Sequence, residues 1–210
     1  KRQYECKKCG RWFVVDDGFS GMRHDPKIIT LALDLYFKGL SLRKITSELR
    51  HFFNVRVSQV SVYKWLMKYG SMLGDYLDTL KPETCGVWNV DDMAVKCAHA
   101  EGEKWHWLFN IIDNQSRFLL ASNLTKGRKF EEAQEAFVRA KTVAKANPRI
   151  VITDGLTSYV GAYATQPSDL GEIVHFGNVS LKSGLNLRIE RLHGSIRERE
   201  KVMRSLKKTE

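Results

Sequence analysis

The sequence predicts an α/β protein in which a small all-α unit precedes a mixed five-stranded sheet flanked by helices. Two observations carry this prediction. Apolar residues recur at helical spacing as far as about residue 80, whereas from Cys85 onward short runs of Val, Ile, Trp, Phe and Leu alternate with turn residues. These later elements follow the order β-β-β-α-β-α-β-α, which is typical of a mixed sheet with helices against its faces.

The net charge of +10 is concentrated at the two ends of the chain. Residues 1–80 carry a net +6, residues 81–181 a net −1 and residues 182–210 a net +5. A near-neutral middle between basic flanks suits a catalytic core held on nucleic acid, although Lys and Arg faces also serve solubility. No stretch approaches the roughly 18 apolar residues of a membrane span, and no signal peptide opens the chain. We expect a cytoplasmic, nucleoid-associated protein.

Cys6 and Cys9 have the two-residue spacing and the following glycine that are typical of a zinc knuckle. A closed structural zinc site needs four ligands, so residues 1–24 are expected to form a partial zinc ribbon. The chain begins without Met, and its missing start would supply the other cysteines. Reduced surface thiols are the alternative. Cys85 and Cys97 flank a predicted strand and are expected to be small core residues.

Three short helices are predicted between residues 25 and 70. Asp25 is a favourable N-cap and Pro26 suits the first helical position, so the first helix begins there and ends at Gly39. Ser41 caps the second helix, whose apolar face comprises Leu42, Ile45, Leu49 and Phe52. Ser58 opens the third, which should end at Gly70 and bury Val62, Leu66 and Tyr69. A separate helix over residues 71–80 should then lead to the core.

The tight connection between the second and third helices is typical of a helix-turn-helix DNA-binding domain, expected with its linker helix over residues 25–80. The exposed face of the third helix carries residue types that read base edges and grip phosphates. These are Arg56, Gln59, Ser61, Lys64 and Lys68. A plain helical bundle that serves as a linker or oligomerisation unit is the alternative.

The remaining elements belong to the predicted sheet domain, residues 81–210. A three-stranded antiparallel meander is followed by a helix that Pro148 stops. Two further strands, a short helix and a long final helix complete the order. The predicted ranges are strands at 86–97, 104–112, 117–124, 149–153 and 172–176, and helices at 129–147, 158–164 and about 185–206.

Three carboxylates lie at strand and helix positions where they can converge. Asp91 lies in the first strand of the meander, Asp154 ends the fourth strand, and Glu190 lies in the final helix. Such oxygen ligands suit two hard cations about 4 Å apart on a phosphodiester. Because neighbouring strand residues face opposite ways, only one of Asp91 and Asp92 can join them, and the sequence alone does not choose.

Simpler structural roles are open to the same acids. Asp154 could close a turn and Glu190 could pair with a neighbouring arginine. Glu190 lies one residue off an apolar stripe, at the border between buried and exposed, and that stripe is Leu185, Ile189, Leu192, Ile196 and Met203. His193, one turn from Glu190, could touch the scissile phosphate. Asp113 and the pair Asp16 and Asp17 are expected to be turn residues.

Three runs of sequence together resemble the catalytic core of DDE-type transposases of prokaryotic insertion sequences, which is related to the retroviral integrase core. They are W-N-V-D-D from residue 88, I-T-D-G from residue 152, and N-L-R-I-E-R-L-H-G-S-I-R-E-R from residue 186. A zinc ribbon followed by a helix-turn-helix is also similar to members of that group. The family often has a second Asn where this chain has Leu187, and often Asp-Glu in place of Asp91-Asp92.

The resemblance implies a ribonuclease H-like fold in which Asp91, Asp154 and Glu190 bind two Mg²⁺ or Mn²⁺ ions. It implies that Arg191 and Arg197 steady the DNA backbone. The implied reaction nicks transposon ends and joins the freed 3′-hydroxyl to target DNA. Double-stranded DNA is thus the expected partner of a homo-oligomer assembled on it.

Two other functions remain open at this point. One is a DNA-binding regulator whose core has lost activity, and it would keep its function when Asp154 is replaced by Ala. The other is a ribonuclease H-like nuclease or junction resolvase, which would hydrolyse DNA without transferring a strand.

Overall fold

The computed structural model describes residues 3–15, 18–97, 105–154, 159, 162, 174–176 and 184–203. The chain divides into two compact units, an N-terminal unit of residues 1–71 and a C-terminal unit of residues 72–210. The predicted turn at Asp16 and Asp17 lies outside the described residues. So do His99, most of the predicted helix at 158–164, and the end of the final helix beyond Met203.

The N-terminal unit begins with a small hairpin. Strands β1 (Gln3–Glu5) and β2 (Trp12–Val14) pair antiparallel, with Tyr4 opposite Phe13. The connecting turn contains both Cys6 and Cys9, and the Gly10 N–H donates to the Cys6 carbonyl at 2.8 Å. Gly10 has φ +65°, a conformation that costs glycine little.

Three helices follow: α1 (Pro26–Phe37), α2 (Leu42–Phe53) and α3 (Gln59–Thr79). The predicted caps are present, since the Asp25 side chain accepts from the Lys27 N–H at 2.7 Å and Ser41 Oγ accepts from the Lys44 N–H at 3.3 Å. Their buried faces form one cluster, composed of Ile29, Ala32, Ile45, Leu49, Val62 and Trp65.

Two predictions for these helices are wrong. Helix α3 runs through Gly70 to Thr79, so no separate linker helix exists. A helical glycine costs only about 1 kcal/mol relative to alanine, so a single glycine need not end a helix. Phe52, predicted to be buried, is 70% exposed because it lies in the last turn of α2, beyond the residues that pack in the cluster.

The C-terminal unit is built on one five-stranded sheet of order β5-β4-β3-β6-β7. Strands β3, β4 and β5 are antiparallel neighbours, whereas β6 is parallel to both β3 and β7. The strands are β3 (Val87–Lys96), β4 (Trp105–Asp113), β5 (Leu119–Thr125), β6 (Ile150–Ile152) and β7 (Val174–Phe176). This meander extended by two parallel strands is the ribonuclease H-like arrangement, and it confirms the predicted fold class.

Helices cover the sheet at α4 (Phe130–Ala144) and α5 (Leu187–Met203). Trp88 and Val90 of β3 pack in the main core with Phe137 of α4 and with Tyr159. Helix α4 ends three residues earlier than predicted, because Lys145 takes the left-handed conformation at φ 52° and terminates it.

The prediction of the apolar stripe on the final helix is wrong at its first residue. Leu185, assigned to the stripe of the final helix, precedes α5 and is 46% exposed. Cys97 is buried as predicted, and Cys85 is half-buried. Among the helices within the described residues, none is long and apolar enough to cross a membrane.

Candidate active site

Asp91 lies on the face of the sheet that meets helix α5. Side chains alternate along β3, so Trp88 and Val90 enter the core beside α4 while Asn89 and Asp91 face the other way. The Asp91 carboxylate is buried, and its Oδ1 accepts the N–H of Asp92 at 2.9 Å. The sheet register thus decides between the two neighbouring aspartates.

The start of helix α5 is fixed to the sheet by amide hydrogen bonds. Asn89 Nδ2 donates to the Leu185 carbonyl at 2.9 Å and to Asn186 Oδ1 at 3.3 Å. Asn114 Nδ2 donates to Asn89 Oδ1 at 2.8 Å, and Arg188 donates to Asn114 Oδ1 at 2.7 Å. This partly buried network sets the position of the first turn of α5, which carries Glu190.

Asp91, Glu190 and His193 converge at this contact between sheet and helix. Each offers one ligand atom, and these atoms all lie within 4.8 Å of one another. Asp91 and His193 are buried and Glu190 is half-buried, as expected for a residue at the border of the apolar stripe. One strand and one helical turn therefore deliver two carboxylates and an imidazole to the same place.

Asp154 follows the carboxyl end of β6, the strand next to β3 in the sheet. The parallel register pairs Asn89 with Ile152, and Asp91 and Asp154 each lie two residues further along the chain from this pair. Asp154 is exposed, and among the described residues it is not part of the 4.8 Å group. The charge of Asp154 nevertheless raises the pKa of Asp91.

The acidic cluster is electrostatically unfavourable without a cation. Burial, the charge of Asp154 and then the charges of Glu190 and Asp92 raise the pKa of Asp91 from 3.8 to about 7, against a smaller opposing effect of the Asp92 N–H. Like charges gathered in a partly dehydrated site disfavour ionisation unless an opposite charge joins them. The donor set, rich in carboxylate oxygen, fits a divalent cation.

Asp92 is neutralised on the opposite face of β3. Its carboxylate lies 2.8 Å from Arg128 Nε and accepts from Arg128 Nη2 at 3.0 Å. The Tyr159 hydroxyl donates to it at 2.6 Å, and the Arg128 guanidinium stacks 4.1 Å from the centre of the Trp107 ring. With these two hydrogen bonds and the Arg128 ion pair, Asp92 serves the core and does not join the acidic cluster.

A family model described as the DDE domain matches residues 86–210. The chain belongs to the DDE-domain transposases. It is accordingly an enzyme that cleaves DNA and transfers the strands, as the sequence motifs predicted. No curated protein matches the chain.

Solved structures with a similar fold include retroviral integrases. The HTLV-2 integrase catalytic core domain in complex with magnesium, in its trimeric form, is 20% identical with a TM-score of 0.40, over 55% of this chain and 67% of that one. The simian T-cell lymphotropic virus intasome with the PP2A subunit B56 gamma is 13% identical with a TM-score of 0.42, over 78% and 57%. The fold is assigned from the strand order of the sheet and from the family match.

The transposase exposes several of the residues expected to contact DNA. Arg56, Gln59 and Lys64 are exposed, whereas Ser61 is half-buried and its Oγ lies 3.0 Å from Ser58 Oγ. The N–H of Ser61 also donates to Ser58 Oγ, so Ser58 caps α3. Ser61 therefore has a structural role at the helix start.

Lys68 is engaged inside the N-terminal unit. Its Nζ donates to the Gly18 carbonyl at 3.3 Å and lies 5.1 Å from the centre of the Tyr69 ring. On α5, Arg191 and Arg197 are both exposed, and the charge of Arg197 reaches the site because it lowers the pKa of His193. Lys68 is exposed but already hydrogen-bonded, and its contact with DNA stays a prediction.

The hairpin turn holds Cys6 and Cys9 close together. Backbone hydrogen bonds from Lys8 and Cys9, then one from the Cys9 side chain, lower the pKa of the Cys6 thiol. A thiol with a lowered pKa is a better metal ligand. Within the described residues, no further Cys or His joins the pair as a group of metal ligands.

Three features of the two units go beyond the predictions from sequence, which gave His193 only a contact with the scissile phosphate. His193 lies three residues after Glu190 and hence on the same helical face, a spacing that signalled its place in the cluster. Arg128, the partner of Asp92, carried no such signal because the contact depends on the loop before α4. The third feature is an arginine-lined groove of about 390 Å³ in the N-terminal unit, lined by Arg43, Thr46, Ser47, Arg50, Arg56 and Val57.

Proposed function

We propose that Asp91, Asp154 and Glu190 hold the two Mg²⁺ or Mn²⁺ ions on which this transposase depends. The observation that carries the proposal is the convergence of Asp91 and Glu190 at one site, with the charge of Asp154 acting on the same carboxylate. When bound, such a pair of cations supplies activation of the attacking oxygen and stabilisation of the leaving oxygen.

The protein supplies rigid placement of these ligands. Asp91 is held in a central strand, and Asp154 follows the neighbouring parallel strand. Glu190 is held by the amide network at the start of α5. Asn186 takes part in this network, whereas Leu187, where the family often has a second Asn, is exposed. Since Asp91, Asn89 and Asn186 are buried and hydrogen-bonded, the positions of Asp91 and Glu190 need little reorganisation during the reaction.

We assign the arginine-lined groove to DNA phosphates. Arg43, Arg50 and Arg56 bring three guanidinium groups to one concave surface, beside the hydroxyls of Thr46 and Ser47. Guanidinium groups bind phosphate oxygens bidentately, and hydroxyls donate to them. The groove lies between α2 and the loop that leads into α3, which is where a helix-turn-helix meets the DNA backbone.

Three finer assignments follow from the N-terminal hairpin, from the reaction and from helix α5. Cys6 and Cys9 would provide two of the ligands of a structural zinc site. Joining two transposon ends to a target requires two active sites, so the enzyme would act as a homo-oligomer on DNA, with Arg191 and Arg197 on the DNA backbone.

The test uses Mn²⁺ titration of the 210-residue chain. D91N, D154N and E190Q should each weaken Mn²⁺ binding by at least about tenfold, because each removes a charged ligand from a shared site. They should also abolish Mn²⁺-dependent nicking of supercoiled plasmid and joining of a 3′-hydroxyl oligonucleotide. E198Q is the matched control, since Glu198 is an exposed acid on the same helix.

The outcome that contradicts the proposal is Mn²⁺ affinity in the three variants equal to that of E198Q. Nicking without joining, in wild type, would instead favour a hydrolytic nuclease that shares the fold.

A further inference from the structure

The imidazole of His193 lies between two side chains of the sheet. Its Nε2 is 3.1 Å from Asn110 Nδ2, and its Nδ1 is 3.6 Å from Asp91 Oδ2. All three side chains are buried, with His193 only 4% exposed. The ring therefore connects β4 to the acidic cluster.

The orientation of Asn110 is set by its other partners. Asn110 Oδ1 accepts the Ser122 hydroxyl at 2.9 Å, and Nδ2 points also to the Leu108 carbonyl at 3.4 Å. An amide held in this way presents an N–H group to the histidine. Because Nδ2 can only donate, His193 Nε2 must accept the hydrogen bond.

The tautomer of His193 follows. A neutral imidazole carries one hydrogen, so a ring that accepts at Nε2 bears its hydrogen at Nδ1. Nδ1 is the ring nitrogen that lies near the Asp91 carboxylate. The separation of 3.6 Å is somewhat longer than a hydrogen bond, and active-site hydrogen bonds of this kind commonly shorten only when the site is loaded.

We propose that His193 is a positioning residue that donates its Nδ1–H to Asp91 and orients this carboxylate for a divalent cation, and that it is not itself a cation ligand. The inference rests on the proposed cation site. Although His193 Nδ1 lies within ligand distance of the cluster, in this tautomer it has no lone pair to offer.

The arrangement leaves Asp91 oriented at both oxygens. Oδ1 accepts the Asp92 N–H at 2.9 Å, and Oδ2 faces His193. Each carboxylate oxygen has a second lone pair, so one hydrogen bond on each still leaves room for a cation. Ser122, Asn110, His193 and Asp91 thus form a polar relay that reaches the site from β5 through β4 to α5 and β3.

Two variants separate positioning from ligation. H193A removes the donor and should lower the affinity for Mg²⁺ by about 10- to 100-fold, the usual effect of losing a hydrogen-bond partner of a metal ligand. H193N should restore most of that affinity, because the amide nitrogen of asparagine occupies nearly the position of Nδ1 and also donates. A purely structural role would change thermal stability in both variants without this recovery.

Nitrogen NMR of the metal-free wild-type chain reads the tautomer directly. Among the six histidines, the His193 resonances are those that disappear in H193N. The expected result is a protonated Nδ1 and an unprotonated Nε2. Pulsed EPR of bound Mn²⁺ should then show no directly coordinated histidine nitrogen.

The inference is overturned by an unprotonated Nδ1, by coordination of a histidine nitrogen to Mn²⁺, or by unchanged Mg²⁺ affinity in H193A. If wild type binds Mn²⁺ normally, any of these results leaves the proposed cation site intact. If wild type binds no Mn²⁺, the proposed site fails and the positioning role falls with it.

Discussion

Replacing Asp91 with asparagine should stabilise the metal-free protein at alkaline pH. Folding raises the pKa of this carboxyl from 3.8 to about 7, chiefly through burial and the charge of Asp154. Because one pKa unit corresponds to about 1.4 kcal/mol, ionised Asp91 costs the folded state about 4 kcal/mol at most. We expect D91N to recover about 2 to 4 kcal/mol, since the amide keeps the volume and can still accept from Asp92.

The sign of the pH dependence follows from linkage. An acid whose pKa is raised by folding holds its proton more tightly in the folded state. Its favourable contribution is complete below pH 3.8 and is lost as the pH rises to about 7. The advantage of D91N should therefore be full at pH 8 and below about 1 kcal/mol at pH 4.

Wild type alone would conceal this trend because His193 titrates with the opposite sign. Burial and then the charge of Arg197 lower the pKa of His193 from 6.5 to about 4, against a raising effect of Asp92. The contribution of His193 is complete above pH 6.5 and is lost as the pH falls toward 4. Taking the difference between D91N and wild type removes most of this shared contribution.

The assay is urea denaturation in the presence of EDTA at pH 4 and pH 8, followed by tryptophan fluorescence. Hydrogen exchange of β3 assigns the transition to the C-terminal unit, since the chain has two units. Saturating Mg²⁺ should raise the stability of wild type but not of D91N. The reasoning would be refuted if D91N were less stable than wild type at pH 8 without metal. It would also be refuted if the difference in stability between D91N and wild type were the same at pH 4 and pH 8.

Three further predictions concern other parts of the molecule. R128M should lower the free energy of unfolding by about 3 kcal/mol in urea denaturation, because it leaves Asp92 buried without its cation, and a neutral effect would contradict that role. G70A should raise the free energy of unfolding of the N-terminal unit by about 1 kcal/mol, because Gly70 lies within a continuous helix and a methyl group there meets nothing within 4 Å. A lower stability of G70A would indicate that the helix is interrupted at this residue. R50A should weaken binding to unrelated duplex sequences alike and reduce the salt slope by about 1, with an unchanged slope excluding a phosphate contact.

Much of the fold follows from sequence because the apolar period changes from helical to alternating near Cys85. The N-caps Asp25 and Ser41 are local chemistry and lie where predicted. Gly70 was misleading, because a glycine marks a helix end only where the chain turns, and here the helix continues. Phe52 shows a second limit, because helical spacing does not tell which turn of a helix the neighbouring elements cover.

The candidate site was predictable in its residue types but not in its geometry. The choice between Asp91 and Asp92 depends on which sheet face α5 covers, and that is a tertiary contact. Likewise, the spacing of His193 from Glu190 was visible, but its contact with Asn110 requires the position of β4 against α5. The arginine groove combines residues from α2 and the loop after it, which no periodicity connects.

The most direct test of the central claim is the anomalous scattering of Mn²⁺ in crystals of the wild-type chain soaked with that ion. The account predicts Mn²⁺ peaks bound by carboxylate oxygens of Asp91, Asp154 and Glu190, with Asp92 still paired to Arg128. Peaks located elsewhere, or none at an Mn²⁺ concentration that supports DNA nicking, would contradict it.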